Sequence, residues 1–182
     1  EHLEPRLWSW CLIEYKNISK LVGKSNLLFT NIKNKADTKK LKDYGRVIVN
    51  SVSRLKLNNT CILDPNATKT LNPAETKHFN YFIFGGILGE HPAKKRTAKL
   101  LTNQLKDAKK RNLGKAQFST DNAVYVTKEI INGKKLGEIK FKDEIEIPVN
   151  KIESTILPYR YALIDNKPFI SNKLIKYLKS KR

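Results

Sequence analysis

Phe79-Asn80-Tyr81-Phe82-Ile83-Phe84 runs straight into Gly85-Gly86-Ile87-Leu88-Gly89-Glu90-His91-Pro92, so an apolar, aromatic stretch stops abruptly at a glycine-rich loop. The first part predicts a buried strand. In open α/β proteins, the place where such a strand gives way to a loop is where ligands sit. The three glycines permit positive φ and close approach of the backbone to a ligand, and Glu90-His91-Pro92 adds a carboxylate, an imidazole and a rigid turn. That set suits a small polar cofactor. It equally suits a tight turn, because the loop lacks both the Lys-Ser/Thr pair of a P-loop and the spacing of a dinucleotide fingerprint.

A second glycine-containing loop follows at Leu113-Gly114-Lys115-Ala116-Gln117-Phe118-Ser119-Thr120-Asp121-Asn122-Ala123 and leads into a helix. Ser119 or Thr120 caps that helix in this reading and Asp121 suits its first turn. Ala123, Thr127, Ile130 and Ile131 form its buried stripe, and Gly133 stops it. Alone, this is an ordinary capped helix.

The pair Phe84-Gly-Gly-Ile-Leu-Gly-Glu-His-Pro-Ala-Lys-Lys-Arg-Thr97 and Arg111-Asn-Leu-Gly-Lys-Ala-Gln-Phe-Ser-Thr-Asp-Asn-Ala123 resembles the SPOUT class of S-adenosylmethionine-dependent methyltransferases. The likeness is to the branch that contains the yeast ribosomal-protein arginine methyltransferase and archaeal predicted RNA methyltransferases. It extends to residues 1–4, 10–15, 61–65 and 157–161. Three positions depart from the family pattern: Glu90 replaces the usual Asp, Ala93 replaces a second Pro, and Lys95 stands where the yeast-type sequence has an acid. Family members also carry a few apolar residues before the position of Glu1-His2, so a shortened or missing first strand is expected.

The resemblance implies an α/β, SPOUT-like sheet with helices on both faces and a C-terminal trefoil knot at about residues 60–135. A single domain spans 1–182, with a strand-rich segment and a basic helix over 139–182. It also implies S-adenosyl-L-methionine as cofactor, held by Leu63, Asp64, Phe84, Gly85, Gly86, Leu88, Gly89, Leu113, Gly114, Gln117, Phe118, Ser119 and Thr120. Most of these contacts are expected from the backbone, with Phe118 or Leu63 packing on the base.

Two acceptors follow from the resemblance and the charge. An arginine of a ribosomal protein is protonated at neutral pH and needs a carboxylate to orient it and take a proton. Glu90 is the first candidate, Glu1, Glu4 and Glu14 come next, and His91 is a possible relay; Glu90 equally suits a turn cap or the ribose hydroxyls. If RNA is the acceptor, Lys94, Arg96 and Arg160 hold phosphates while Tyr159 or Tyr161 stacks a base, although both tyrosines also suit a strand core. A non-catalytic RNA-binding protein of the same fold is the third reading.

Thirty-six Lys and Arg against seventeen Asp and Glu give +19, more than solubility needs, and point to a polyanionic, ribosome-associated partner. From Lys94 to Lys115, only Asp107 opposes nine basic residues, and no acid follows Asp165. These runs also read as solvated faces. Glu144, Glu146 and Glu153 make the local exception. High like charge favours a monomer. Cys11 and Cys61 form no CxxC and no metal-ligand spacing with His2, His78 or His91. They read as reduced core thiols of a cytoplasmic protein without a metal or a membrane segment. No nucleophile elbow supports hydrolase chemistry.

Helices are predicted over 8–22, 37–44, 97–105, 122–131 and 172–181, with strands over 27–29, 47–49, 61–63 and 79–84. The 79–84 strand is taken as central, with helices 97–105 and 122–131 on its far side. Residues 139–164 read as strand-rich.

Overall fold

A computed structural model of the chain describes residues 1–89, 94, 96–150 and 152–180. Helix α1 (Ser9–Val22) forms where Cys11, Tyr15 and Ile18 recur at helical spacing and are buried. It ends at Gly23, whose φ of 83° an L side chain disfavours and whose N–H donates to Ser19 O at 2.9 Å. Strand β1 (Leu28–Phe29) follows, then α2 (Lys35–Leu41), whose N-cap Asn34 accepts from the Ala36 N–H, then β2 (Arg46–Val47), parallel to β1.

A second parallel sheet contains β3 (Thr60–Leu63), β4 (Tyr81–Ile83) and β5 (Lys109–Arg111) in the order β4-β3-β5. Between them lie α3 (Pro73–Thr76), opened by an Asn72–Glu75 capping box, and α4 (Arg96–Leu100), followed by a 3₁₀ turn at Thr102–Gln104. The first residues connect the two sheets. His2 forms a parallel bridge with Gly86, Leu3 N–H donates to Gly86 O at 3.2 Å, and His2 N–H donates to Thr30 O at 3.1 Å. The spatial order is therefore β2-β1-(residues 1–3)-β4-β3-β5. In place of a first strand, residues 1–3 make a single isolated bridge.

Both faces of β3 are covered. Cys61 and Leu63 pack with Val126 and Ile130 of α5 (Thr120–Ile131), while Ile62 packs with Val52, Ile83, Leu101 and Ala108 on the other side. The two predicted helices at 97–105 and 122–131 therefore lie on opposite faces, and the first is broken at Leu101, where α4 yields to the 3₁₀ turn. Cys11 and Cys61 are free and buried, and burial pushes both thiols up to about 12. They stay protonated.

The chain closes with β6 (Phe141–Pro148), β7 (Ser154–Ile164), β8 (Lys167–Pro168) and α6 (Asn172–Ser180). Strands β6-β7-β8 are antiparallel. Leu174 and Leu178 of α6 pack on Ile145, Ile147, Leu157 and Tyr161, with Trp10 and Ile13 of α1 against the same cluster. Lys173, Lys176 and Lys179 face outward. Strand β5 escapes sequence reading because Lys-Lys-Arg shows no apolar alternation. Only its pairing with Cys61, Ile62 and Leu63 makes it a strand. Among the described residues, no helix is long and apolar enough to cross a membrane.

Candidate functional site

Strands β3, β4 and β5 are parallel, so their C-terminal ends release three loops on the same side of the sheet. Residues 64–70, 84–89 and 112–118 surround a cleft of about 810 Å³, within the usual range for a small-molecule site. Its position is the one an α/β sheet gives to ligands. Leu63, Asp64, Phe84, Gly85, Leu88 and Gly89 line one part, and Leu113, Gly114, Gln117, Phe118 and Thr120 line the other. Lys94 and Arg96 also line it.

Gly86 and Ser119 do not line it. A Cβ on Gly86 would stand 1.9 Å from the Tyr15 hydroxyl, so this glycine exists to admit Tyr15, which in turn hydrogen-bonds His2 Nδ1 at 2.9 Å. A Cβ on Gly89 would stand 1.9 Å from Gln117 Nε2 and 2.4 Å from the Tyr159 ring. None of the three glycines at 85, 86 and 89 has positive φ, contrary to expectation; close packing, not turn geometry, excludes a side chain at 86 and 89, while a Cβ on Gly85 would first meet the Ile87 side chain at 3.1 Å. Gly114 is different: its φ is 89° and the nearest atom to an added Cβ is 3.8 Å away. It leaves open backbone facing the cleft.

The loops are held by Asn112, which carries no signal in the sequence, and by Asp64, Glu4 and Arg96, whose contacts differ from the roles expected of them. Asn112, 8% exposed, donates to Ala67 O at 2.7 Å and accepts from Gly114 N–H and Thr70 Oγ1, each at 2.9 Å. It pins two of the three loops together. Asp64 is buried and accepts from Thr102 Oγ1 at 2.6 Å and Asn66 N–H at 2.9 Å, so its carboxylate shapes the floor. Glu4 accepts from Leu88 N–H at 2.9 Å and pairs with Arg96 at 3.1 Å, while Arg96 Nη1 donates to Leu88 O at 3.1 Å. Leu88 is thereby gripped on both sides of its peptide.

Of the residues assigned to an RNA acceptor, Arg96 is turned to Glu4 and Leu88, and Arg160 makes a two-pronged contact with Asp143 at 2.5 and 2.6 Å. Tyr159 donates its hydroxyl to Gly89 O at 3.0 Å, and Tyr161 is 1% exposed, a core residue. Glu90 and His91 lie outside the described residues.

Behind Thr120 sits a buried polar cluster. Ser119 occupies the N-cap of α5, but its hydroxyl donates to Asp121 Oδ1 at 2.7 Å and does not cap. Asp121 also accepts from Asn17 Nδ2 at 2.8 Å and Asn122 N–H at 2.9 Å. Glu14 accepts from Trp10 Nε1 at 2.8 Å, and Thr120 approaches the same carboxyl. Burial, aided by the charge of Asp121, pushes Glu14 up to about 8; burial also raises Asp121 against the hydrogen bonds from Ser119, Asn17 and Asn122. Glu14 is therefore mostly protonated at neutral pH, and it stands behind the cleft wall.

A second cavity of about 520 Å³ is lined by Ile18, Val22, Phe29, Val124 and Ile131 among others. Its walls come from α1 and α5 on one side and from residues 26–30 and 80–84 on the other. It lacks the converging loop backbones of the larger cleft.

The chain is similar to proteins of known fold and activity over almost its whole length. Residues 1–182 match the family described as protein arginine N-methyltransferase SFM1-like. Protein arginine N-methyltransferase SFM1 of Saccharomyces cerevisiae is 34% identical over 197 residues, covering 98% of this chain and 92% of the yeast protein. The crystal structure of yeast SFM1 complexed with SAH has a TM-score of 0.89 at 33% identity, covering 98% of this chain and 92% of that one. A dual-specific Trm10 from Thermococcus kodakaraensis shares the fold alone, with a TM-score of 0.56 at 16% identity over 70% of this chain and 85% of that one. With the family match spanning residues 1–182 and the yeast protein 34% identical over 98% of this chain, the chain belongs to the SFM1-like family of protein arginine N-methyltransferases.

Proposed function

We propose that the cleft binds S-adenosyl-L-methionine and that the enzyme transfers its methyl group to an arginine of a basic protein of the translation machinery. The observation that carries this reading is the cleft formed by the 84–89 and 112–118 loops in a chain whose yeast relative was crystallised with SAM and with SAH. The lining suits the cofactor: Leu63, Leu113 and Phe118 offer apolar surface to a base, and Gly114 offers unobstructed backbone. When bound, the cofactor supplies an electrophilic methyl carbon and a leaving group that departs as a neutral thioether. The chain's own task is alignment and exclusion of water, which contributes several kcal/mol, roughly, through positioning.

The guanidinium nitrogen must lose a proton as its bond to carbon forms. Glu90 is assigned that role, with His91 as relay, because both follow the Gly89 carbonyl held by Tyr159. Glu14 is reassigned from catalysis to positioning, since its carboxyl meets Trp10 and Thr120 behind the wall. The engagement of Arg96 and Arg160 with carboxylates favours the protein acceptor over RNA.

The test combines calorimetric titration of S-adenosylmethionine with tritium transfer from its labelled methyl into a ribosome and ribosomal-precursor fraction. Micromolar binding and label removed by protease are expected. Label removed by RNase would make the acceptor RNA, and absence of binding would defeat the enzymatic reading. Arg96→Ala should lower stability by about 1–3 kcal/mol, because it strips a charged partner from a carboxylate that is 8% exposed. Cofactor affinity should fall with it as Leu88 is released, read by the same titration.

A further inference from the structure

The β6–β7 hairpin has one face that nothing described covers. Ile145 opposite Leu157 and Ile147 opposite Thr155 alternate with Glu146 opposite Ile156 and Pro148 opposite Ser154. The first set turns to α6: Ile145 is 3% and Leu157 2% exposed. The second set turns outward, with Ile156 56% exposed and Ile152 in the turn 94% exposed. Ile156 on the outward face and Ile152 in the adjoining turn are large apolar side chains left exposed on one hairpin.

Their surroundings are acidic. Asp143, Glu144, Glu146 and Glu153, four of the seventeen acids in a chain of net charge +19, fall within residues 143–153. Glu144, Glu146 and Glu153 are exposed. Glu146 accepts from the Ser154 hydroxyl and Glu153 from Asn150 Nδ2 at 2.8 Å, so both carboxylates are held in place while still presenting charge.

The same strand reaches the cleft. Further along β7, Tyr159 donates to Gly89 O at 3.0 Å and Arg160 N–H donates to Gln117 O at 2.8 Å. Leu157, Tyr159 and Tyr161 turn to α6, so Ile156 shares its face with Arg160, about 13 Å further along an extended strand, whose guanidinium stands 3.8 Å from the position of a Cβ on the cleft-lining Gly114. A polypeptide lying on this face therefore meets the cleft within a few residues.

We infer that this sheet face docks the basic, partly apolar segment flanking the acceptor arginine of the substrate protein. The inference rests on the arginine-acceptor reading above. Most of the surface is cationic and repels such a segment, whereas Glu144, Glu146 and Glu153 attract it and repel phosphate. Ile152 and Ile156 supply the apolar anchor that loses water on contact. The occupant is a cationic polypeptide.

The probe is a short synthetic peptide rich in arginine and valine, titrated into the isotope-labelled full chain while amide resonances are followed. Shifts confined to residues 144–158 and the neighbouring cleft rim are expected. The double variant Glu144→Lys/Glu146→Lys should weaken peptide binding roughly tenfold, and Ile156→Ser should weaken it several-fold. Melting temperature and S-adenosylmethionine affinity should stay unchanged in both. Absence of peptide binding, shifts that map elsewhere, unchanged affinity in the charge-reversed variant, or a short RNA oligonucleotide perturbing the same resonances would each overturn the inference. Cofactor titration of the unmodified chain separates this failure from failure of the enzymatic reading.

Discussion

Asn122→Ala should destabilise the fold by about 2–4 kcal/mol, lowering the melting temperature by roughly 5–15 °C, with weaker cofactor binding in calorimetry. Asn122 is fully buried, yet every polar atom of its side chain has a partner. Its oxygen accepts from Ala162 N–H at 3.0 Å, and its nitrogen donates to Ser119 Oγ at 2.9 Å and Phe169 O at 2.9 Å. The residue thus ties the start of α5 to β7 and to the segment after β8. Truncation leaves an N–H and a carbonyl in a dry interior, where unmade hydrogen bonds cost the most. The cofactor effect follows because Thr120, two residues away, lines the cleft.

The second large effect concerns pH. Glu14 has an ordinary value of 4.5 and rises to about 8 in the fold. As pH increases through this interval, the unfolded chain loses its proton first, so the folded state binds more protons. The stability contributed by protonated Glu14 is whole below 4.5 and is lost progressively as pH rises to about 8. Asp121 is also raised by burial, and its charge is one cause of the Glu14 shift, so the two carboxyls titrate as a pair. Thermal unfolding should therefore show a decline on the order of a few kcal/mol from pH 5 to 8, using the free-energy value of one pKa unit. Glu14→Gln keeps an acceptor for Trp10 but cannot ionise. Its melting temperature should vary much less with pH and exceed that of the parent at pH 8.

The expected α/β class and its two glycine-containing loops rested on short apolar runs and local punctuation, signals that sit in neighbouring residues. Helix α1 is legible for that reason, since Cys11, Tyr15 and Ile18 repeat on one face. Strand β5 is not, because Lys109 and Lys110 become a strand only through bonds to residues almost fifty positions earlier. The expected helix 97–105 is shorter in the fold: α4 ends at Leu100 and the 3₁₀ turn begins after Leu101, which packs beside Ile62.

In the cleft, the loops were legible and the reasons for their residues were not. In sequence Gly86 reads as a turn or cofactor-contact glycine, but its missing side chain leaves the space occupied by Tyr15, seventy-one positions away. Ser119 looks like a cap or a ligand contact, but its hydroxyl belongs to Asp121. Asn112 gives no signal in the sequence, because an asparagine that joins two loops has no local signature. Long-range contacts assign such roles, and periodicity does not contain them.

The Lys109-Lys110 pair has a further consequence for the chain among its own copies. A parallel sheet ending in an uncovered strand presents unpaired main-chain groups to any extended segment that meets it. At β5, both lysines are exposed, so a second β5 aligned against the first would bring like charges together. The sheet is thus terminated by repulsion where it is not terminated by a covering helix, and the charge that suggests affinity for polyanions also protects the folded chain from edge-to-edge aggregation.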